Sequence, residues 1–305
     1  MGRRLMEYTA LGKTNFHVSR LGLGGAPLGG DYGDVTDEQA IRVIDAALDF
    51  GINFIDTAPL YGGGESERRV GLALKGKRNR VILATKAVVR GVPYTYENTL
   101  RSVEESLKRL QTDYLDLIQL HELESVSYEE AMEGTIEAFL KLKREGTVRA
   151  IGVNAGQLNR LLPFVREGTI DTIQTFGRYT LLDYTARDEL LPLTRYANVG
   201  VIHGSPLCMG LLTEQPAPFL YKYPDKLAEG ERRKQQLEFL RKGKSNGLVE
   251  PAMRFSLACP DIAVTLTGTT SVEELTRNVT YCDGKGLSAE DESRVLALFP
   301  GQPLQ

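Results

Sequence analysis

Several residue types that mark particular protein classes are scarce or missing in this sequence. Tryptophan is absent, and only three histidines and three cysteines occur in 305 residues. The cysteines, Cys208, Cys259 and Cys282, are odd in number, widely spaced and without a CxxC pair. That pattern argues against a disulfide framework and against a zinc site. We therefore expect no bound metal and a reducing, cytoplasmic environment.

Neither an excess of charge nor a long apolar run is present. The chain has 37 basic and 40 acidic side chains, for a net charge of -3, so we expect no nucleic-acid partner and no anionic membrane partner. No run of about 18 apolar residues occurs, and the first residues lack the apolar stretch of a secretory signal. The 42% of hydrophobic residues is ample for a globular core.

Short apolar runs rich in β-forming residues alternate with segments of helical period along nearly the whole chain. The helical period is clearest in residues 37–50, 96–110 and 128–143, where apolar residues share one face. Thr36 and Gln39 have the spacing of a capping box at the start of the first of these segments. The predicted strands lie near residues 20–24, 52–56, 81–86, 115–120, 147–153, 171–175, 199–204 and 262–267.

Eight strand–helix units in about 300 residues predict an α/β fold of the (β/α)8 barrel type. We expect one domain over residues 1–305, with an N-terminal β-hairpin in residues 8–18 and an extra C-terminal helix in residues 289–298. A doubly wound open sheet is the alternative. It is disfavoured because the glycine-rich residues 22–25 lead into no helix and form no GxGxxG turn.

The segment of residues 213–235 breaks this alternation. It contains three prolines and the aromatic residues Phe219, Tyr221 and Tyr223 beside several charges. In a barrel such a loop would lie over the active face. Two interpretations stay open, a solvated excursion that packs its own aromatic rings and a lid that faces the substrate.

Three predicted strands end on a side chain that can hold or move a proton. Asp56, Lys86 and His121 close their strands, and Tyr61 follows just beyond the first of them. Ligands and chemistry gather beyond the carboxyl ends of the strands in parallel sheets and barrels. We therefore expect these four side chains to form one site.

The four residue types together suit proton transfer between a carbonyl and an alcohol. A phenol titrates near pH 10, so Tyr61 is a poor base alone, but the Lys86 ammonium favours the phenolate. Asp56 would hold Lys86 in place, and His121 would orient the substrate oxygen. Because the set contains no nucleophile and no metal-ligand pattern, the electrons must travel as hydride to or from a cofactor.

The motifs that contain these residues resemble the catalytic tetrad of the aldo-keto reductases. They are the strings of residues 56–62, 84–86 and 120–121, and the similarity extends to residues 107–116 and 268–278. The resemblance implies a (β/α)8 barrel that binds a nicotinamide dinucleotide across its carboxyl-terminal face without a Rossmann domain. That property would explain the missing GxGxxG turn.

Two further stretches resemble one branch of that family. Residues 200–214 are similar to the plant L-galactose dehydrogenases, and residues 177–182 to the D-threo-aldose (L-fucose) 1-dehydrogenases and their pyridoxal dehydrogenase relatives. These branches oxidise the anomeric carbon of a sugar, or an equivalent alcohol, with a nicotinamide cofactor. The tyrosine that commonly stacks on the nicotinamide is replaced by Gly204, and Tyr179 and Met209 are the candidates to compensate for it.

The resemblance also implies which residues contact the cofactor. Gln174 matches a contact to the nicotinamide carboxamide, and Asn278 matches an adenine contact. Many members have Ser-Asn after the fifth strand where this chain has Asn154-Ala155, so Asn154 is the residue that would retain part of that carboxamide contact. The hydroxyls and backbone amides that precede the last motif's helix make a phosphate cradle. The full set of predicted contacts is Asn154, Gln174, Ser205, Leu207, Gly210, Gly268, Thr269, Thr270, Glu274, Arg277 and Asn278.

The same motif bears on the choice between NAD and NADP. Gly268 and Glu274 occupy positions where NADPH-using relatives often have a basic side chain. A carboxylate there repels the 2'-phosphate and can accept a hydrogen bond from the ribose. We predict a preference for NAD, with Arg277 as a side chain able to reach the same phosphate.

Three functions are compatible with these residues. The favoured one is an NAD-dependent aldose 1-dehydrogenase that forms the lactone with Tyr61 as general base. The second is an NADPH-dependent aldehyde or ketone reductase that uses the same tetrad in reverse. The third, a cofactor-sensing subunit like the potassium-channel β subunits, is disfavoured by the intact tetrad and by the lack of a docking extension. We expect a small sugar or aldehyde as substrate. The sequence gives no prediction of the oligomeric state.

Overall fold

Eight parallel strands close into a barrel in the computed structural model, which describes residues 6–242 and 247–304. Each barrel strand pairs with the next along the chain, and the last pairs with the first, with Leu266 opposite Gly22. This closure confirms the predicted barrel and excludes the open sheet. The strands are β1 (Tyr8–Ala10), β2 (His17–Ser19), β3 (Leu21–Gly24), β4 (Phe54–Asp56), β5 (Ile82–Ala87), β6 (Leu115–Leu120), β7 (Val148–Ala155), β8 (Thr172–Phe176), β9 (Gly200–Gly204) and β10 (Val264–Thr267).

Helices cover the outside of the barrel and bury their apolar faces against it. The first begins at Asp37 and is capped by Thr36, whose side chain forms the predicted capping box with Gln39. The helices are α1 (Asp37–Asp49), α2 (Glu65–Leu74), α3 (Tyr96–Leu110), α4 (Tyr128–Glu130), α5 (Glu137–Arg144), α6 (Leu158–Glu167), α7 (Leu190–Tyr196), α8 (Pro224–Gln235), α9 (Val249–Leu257), α10 (Val272–Val279) and α11 (Ala289–Leu298). None of them is long and apolar enough to cross a membrane.

The predicted helix of residues 128–143 is interrupted in the structure. Between α4 and α5, residues Ala131–Ile136 form a π-helical turn. Gly134 lies in this turn, and a side-chain carbon there would stand 2.0 Å from the carbonyl oxygen of Tyr94. The glycine therefore permits a close backbone contact with the loop that follows β5, on the side of the barrel that carries the site.

The hairpin of β1 and β2 closes the amino-terminal end of the barrel. Leu11 and Val18 are fully buried in an inner cluster with barrel residues that include Phe54 and Ile202. At Gly200 a side-chain carbon would lie 2.7 Å from Leu11 Cδ1, so the glycine makes room for the leucine. The predicted hairpin is thus a plug at the end opposite the candidate site.

The segment after β9 is not the continuous loop that we expected. Residues Pro218–Lys222 form a 3-10 turn, and α8 follows from Pro224. Proline suits a first helical position because its missing N–H would have no partner there. Among the residues of α8 only Gly230 and Arg233 are buried, so the helix leaves almost no apolar period in the sequence.

Candidate active site

The four predicted catalytic residues meet at the carboxyl-terminal end of the barrel. Asp56 is the last residue of β4, Lys86 lies one residue before the end of β5, and His121 follows the last residue of β6. Tyr61 begins a short turn, Tyr61–Gly64, in the loop after β4. Neighbouring parallel strands thus bring together side chains that are up to 65 positions apart in sequence.

Lys86 and Asp56 form a buried ion pair, with side-chain exposures of 0% and 2%. The Lys86 Nζ donates to Asp56 Oδ1 at 2.8 Å, to Asp56 Oδ2 at 2.7 Å and to the Thr57 carbonyl oxygen at 2.9 Å. Burial alone would lower the pKa of Lys86, but the attraction and hydrogen bonds of Asp56 offset it and the pKa is raised. The lysine is therefore an ammonium with all three donors engaged.

Tyr61 lies beside this pair. Its ring centroid is 4.9 Å from Lys86 Nζ and 5.9 Å from the His121 ring, which it meets edge-on. Burial raises the pKa of Tyr61 above its ordinary value, while the Lys86 charge lowers it and Asp56 raises it again. The expected influence of Lys86 is present, but burial outweighs it, so the phenol is the neutral-pH form of this side chain.

His121 is a neutral imidazole in this environment. Burial, followed by the charges of Lys86 and Arg90, holds the pKa of His121 well below its ordinary value. A neutral ring carries one N–H and one bare nitrogen, so it can donate a single hydrogen bond to a substrate oxygen. Tyr94 donates to the His121 carbonyl oxygen at 3.1 Å and holds the backbone of this residue.

An ion pair at the rim of the site was not apparent in the sequence. Arg90 donates to Glu122 through NH2 at 2.6 Å and through Nε at 3.1 Å. The turn that carries Arg90 contains Val88 with a φ of 62°, a conformation that is an outlier for a β-branched residue. A strained residue thus lies between Lys86 and Arg90, whose charge contributes, after burial, to the lowered pKa of His121.

A buried amide network beneath Asp56 was also missed. Gln119 Nε2 donates to Asp56 Oδ1 at 3.2 Å and to Gln174 Oε1 at 2.8 Å, and Gln174 Nε2 donates to Asp56 Oδ2 at 3.4 Å. The predicted carboxamide contact Gln174 is therefore already tied to the catalytic aspartate. The available signal was a glutamine inside the otherwise apolar end of β6.

Other predicted contacts to the nicotinamide end are placed as follows. Asn154 is buried one residue before the end of β7, and its Oδ1 accepts a hydrogen bond from the Glu122 backbone amide at 3.4 Å. Tyr179 is buried and stacks on Phe255 of α9, with ring centroids 4.9 Å apart. Tyr179 is therefore the wrong candidate to replace the tyrosine missing at Gly204, because its ring is packed against a helix outside the barrel.

The predicted cofactor segment after β9 has a strained backbone. Ser205, Cys208 and Met209 have φ angles of 55°, 50° and 56°, and Gly210 has 98°. Residues other than glycine rarely adopt this left-handed backbone conformation. Those that do are found most often at ligand sites. Met209 is the remaining candidate, of the two that we named, for contact with the ring at Gly204. Leu207 lies between Ser205 and Cys208 in this segment and is partly buried against the main core.

The predicted phosphate cradle, residues 268–271, leads into the start of α10. Ser271 caps the helix and accepts from the Glu274 amide at 3.2 Å. Thr269 Oγ1 donates to Glu274 Oε2 at 2.5 Å and accepts from the Ser271 amide at 3.0 Å. The Glu274 carboxylate is thus turned back toward the cradle, which also contains Gly268 and the partly exposed Thr270.

Two polar atoms at the end of α10 lack partners. Arg277 Nε and Asn278 Oδ1 are buried and accept or donate no hydrogen bond within the described chain, while Asn278 Nδ2 donates to Thr267 at 2.9 Å. Unsatisfied buried polar atoms are costly and uncommon. A donor and an acceptor without partners, close in sequence to the predicted phosphate cradle, are the kinds of group that bind the polar edge of a nucleotide base, so the residues present are compatible with a dinucleotide.

The described residues also bear on metals and disulfides. All three cysteines are free and buried. Within residues 6–242 and 247–304, no group of three His, Cys, Asp or Glu side chains is placed to hold a metal ion.

A (β/α)8 barrel with Asp56, Tyr61, Lys86 and His121 at the ends of three adjacent strands has the architecture of a barrel oxidoreductase. The sequence profile of the Aldo/keto reductase family matches residues 20–298. The chain belongs to the aldo/keto reductase family and is an oxidoreductase.

Relatives with assigned names agree with the branch that the sequence indicates. L-galactose dehydrogenase from Arabidopsis thaliana is 36% identical, with 96% of this chain and 94% of that protein covered. D-threo-aldose 1-dehydrogenase from a Pseudomonas species is 30% identical over 87% of this chain and 89% of that protein. NADH-specific methylglyoxal reductase from Escherichia coli K12 is 35% identical over 68% of this chain and 69% of that protein.

Solved structures share the same barrel. The holo form of the aldo-keto reductase AKR11C1 from Bacillus halodurans has a TM-score of 0.80 and 32% identity over 98% of each chain. An aldo-keto reductase from Klebsiella pneumoniae in complex with NADPH has a TM-score of 0.78 and 24% identity, covering 98% of this chain and 97% of that one. A nicotinamide dinucleotide is therefore the cofactor of a solved neighbour of this fold.

Proposed function

We propose that the protein oxidises an aldose at C1 to the lactone with NAD, using Tyr61 as the general base. The observation that carries the proposal is the buried Lys86–Asp56 pair beside the Tyr61 ring. Two relatives that are 36% and 30% identical carry the names of sugar dehydrogenases. The ion pair supports proton transfer at Tyr61, and the names of the relatives support a sugar as the substrate.

In this reaction each side chain has a defined part. Tyr61 removes the proton of the anomeric hydroxyl, and the fixed ammonium of Lys86 stabilises the phenolate. The neutral His121 donates a hydrogen bond to the same oxygen and orients it. A bound nicotinamide supplies the hydride acceptor in the oxidation and the hydride donor in the reverse direction.

The mouth of the site suits a polyhydroxylated substrate. The Tyr32 ring stacks on Phe219 at 6.4 Å, and Phe219 meets Tyr223 at 6.2 Å. The Arg90–Glu122 pair presents charged hydrogen-bonding groups, and Tyr223 is close enough to contribute, after Glu122, to the raised pKa of Arg90. Aromatic rings cover the apolar face of a sugar, and planar charged groups bind its hydroxyls, so the two sets of groups complement a pyranose.

For the cofactor we propose a preference for NAD over NADP. The Glu274 carboxylate faces the cradle through its hydrogen bond with Thr269. A second negative charge from a 2'-phosphate would be repelled there, whereas a ribose hydroxyl could donate to the carboxylate. A relative whose name specifies NADH is 35% identical to this chain.

One observation favours a second function, the reduction of an aldehyde or ketone. Because burial raises the pKa of Tyr61, the phenol is protonated at neutral pH and is ready to act as a general acid. The same tetrad then runs in the opposite direction, with NADPH in the alternative that we considered. We favour the oxidising function because the similarity to the two named sugar dehydrogenases extends over most of this chain.

The experiment that separates these functions follows the absorbance of the reduced nicotinamide. NAD and NADP are each tested with L-galactose, L-fucose, D-arabinose, pyridoxal and simple alcohols, and NADH and NADPH with aldehydes. Turnover of a sugar with NAD supports the proposal. If no sugar is oxidised and aldehydes are reduced with NADPH, the second function replaces the proposed one.

The setting of this activity follows from the same features. We propose that residues 1–305 act as one catalytic domain, because the predicted catalytic and cofactor residues all lie on one barrel. We also propose a reducing, cytoplasmic location, because the three cysteines are free and buried.

A further inference from the structure

Gln119 occupies a position that the proposed chemistry does not assign. Its side chain is fully buried on β6, inside the barrel and below the reacting groups. One nitrogen, Nε2, donates to both Asp56 at 3.2 Å and Gln174 at 2.8 Å. Its oxygen, Oε1, is buried and has no hydrogen-bond partner.

The charge of Asp56 determines how both amides are oriented. A carboxylate paired with Lys86 is ionised and only accepts hydrogen bonds, so each amide must turn its NH2 group toward it. Gln119 then has one N–H left, and this N–H points at Gln174 Oε1. Reversing Gln119 would place its oxygen against the carboxylate and break both bonds.

The orientation of Gln174 follows from that of Gln119. The oxygen of Gln174 is occupied by Gln119, and one N–H of Gln174 is directed at Asp56 Oδ2 at 3.4 Å. One N–H remains. Gln174 therefore presents its second N–H to a ligand as a hydrogen-bond donor, while its oxygen is held by the bond from Gln119.

We propose that Gln119 is a positioning residue that fixes Gln174 as a donor and couples it to Asp56. The inference rests on the proposed binding of a nicotinamide dinucleotide at this site. Held in this way, Gln174 selects a cofactor by the oxygen of its carboxamide. Next to Gln119, a side-chain carbon at Gly152 would lie 2.3 Å from Thr172 Oγ1, so the glycine makes room for Thr172 in the same part of the interior.

The test compares the binding of NAD with that of thionicotinamide adenine dinucleotide, in which sulfur, a weaker acceptor, replaces the carboxamide oxygen. Dissociation constants are measured by calorimetry without any substrate. The wild-type protein should bind NAD about three- to tenfold more tightly, the range that one hydrogen bond supplies. In Gln119→Met, where length is kept and the amide is lost, the ratio should fall toward one, as it should in Gln174→Leu.

Thr172→Val is the matched control. Thr172 is buried in the same interior, and its hydroxyl also lacks a partner, so its loss should leave the ratio unchanged. If Gln119→Met does not fold by circular dichroism, Gln119→Leu and Gln119→Asn take its place. A wild-type ratio that survives in a folded Gln119 variant overturns the inference, because a packing role would leave the discrimination between the two cofactors intact.

Failure of the proposed function gives a different result. If the wild-type protein binds neither dinucleotide, both the cofactor assignment and the role of Gln119 are wrong. A protein that shows the predicted ratios but turns over no sugar keeps the role of Gln119 and loses the aldose assignment. Equal wild-type affinities for the two dinucleotides contradict the donor role of Gln174 and overturn the inference alone.

Discussion

At the scale of single residues, the Lys86–Asp56 pair is the feature on which the chemistry depends. Removing two charges from water is costly, and a buried pair persists only when both partners are present and well bonded. Here the lysine has three acceptors and the aspartate accepts from the lysine and two amides. Such a pair is weak evidence for stability. It is stronger evidence for a site that must hold a positive charge beside the phenol of Tyr61.

The phenol hydroxyl itself is open to a direct test. Tyr61→Phe removes one oxygen and keeps the ring that packs beside His121. We expect the turnover number to fall by about 10²- to 10⁴-fold, the usual contribution of a general acid or base. The dissociation constant for NAD, measured by calorimetry, should change by less than about twofold because the ring stays in place.

Tyr196→Phe is the control for that variant, since it removes a phenol hydroxyl from an exposed tyrosine at the end of α7. Its turnover number should stay close to the wild-type value. Wild-type activity in Tyr61→Phe, or equal losses in both variants, would mean that the proton is moved by another group.

The pH dependence of the two directions should be opposite. Burial raises the pKa of Tyr61, so its base form is populated only at alkaline pH. Oxidation needs the phenolate, and its rate should therefore rise with pH until the phenol has ionised. Reduction needs the phenol, and its rate should stay high and then fall through the same pH range. Initial rates in both directions from about pH 6 to about pH 11 give the two profiles.

Lys86→Met decides whether the lysine tunes this pKa. The positive charge of Lys86 lowers the pKa of Tyr61, so its loss should shift the midpoint of the oxidation profile to higher pH as well as lowering the rate. A profile with an unchanged midpoint in a folded variant contradicts the tuning role.

At the scale of elements, the start of α10 should determine the choice of cofactor. Glu274→Arg replaces the carboxylate that faces the cradle with a guanidinium, which pairs well with phosphate. We expect the ratio of kcat/KM for NADP over NAD to rise by about tenfold or more. Glu273→Arg is the control, because its carboxylate accepts from the Ser271 hydroxyl at the exposed start of the same helix. An equal rise in both variants would indicate a general charge effect rather than a contact.

The helix α8 should hold the end of the chain in place. Arg233 is buried and donates to the carbonyl oxygens of Leu182 and Gln302, both at 2.8 Å, and its guanidinium lies 4.8 Å from the Phe299 ring. Arg233→Met leaves those carbonyls without a donor. We expect a loss of roughly 2–4 kcal/mol in the free energy of unfolding, measured with urea, and faster hydrogen exchange in the last residues.

Arg232→Met is the matched variant on the same helix. Arg232 also bonds to Glu229 but is 57% exposed, and exposed pairs contribute about 0–1 kcal/mol. If the two variants lose similar stability, Arg233 is not the anchor that its hydrogen bonds indicate.

Elements also differ in how far the sequence predicts them. The strand β6 and the helix α3 match their predicted bounds to within one residue, because an apolar run or an amphipathic period marks each of them. The helix α8 was missed because it buries almost none of its residues. Gln119 and the Arg90–Glu122 pair were missed for another reason. Their partners lie on neighbouring strands and loops, and only the closed barrel brings them within reach.

At the scale of the whole molecule, stability and chemistry lie at opposite ends of one barrel. The candidate site is at the carboxyl-terminal end, built on loops, a strained backbone and an ion pair. The opposite end is closed by the hairpin, whose Leu11 and Val18 fill the barrel interior. This division agrees with the general rule that one face of such barrels carries catalysis and the other carries stability.

The division can be tested with a single leucine. Leu11→Ala removes a fully buried side chain that contacts Gly200 and belongs to the inner cluster. Such truncations cost about 2–5 kcal/mol, because both the transfer energy and a residual cavity count against the fold. Urea unfolding should show that loss, while kcat/KM under native conditions stays close to wild type.

Lys13→Ala provides the comparison from the same turn. Lys13 is exposed and donates to the Gly168 carbonyl oxygen at 2.9 Å, so its loss should change the unfolding free energy by less than about 1 kcal/mol. The opposite result would be a fall in kcat/KM of Leu11→Ala under conditions where the variant remains folded. It would show that the packing of the hairpin affects the geometry of the site. The two ends of the barrel would then be energetically coupled, and the proposed separation of stability from chemistry would be wrong.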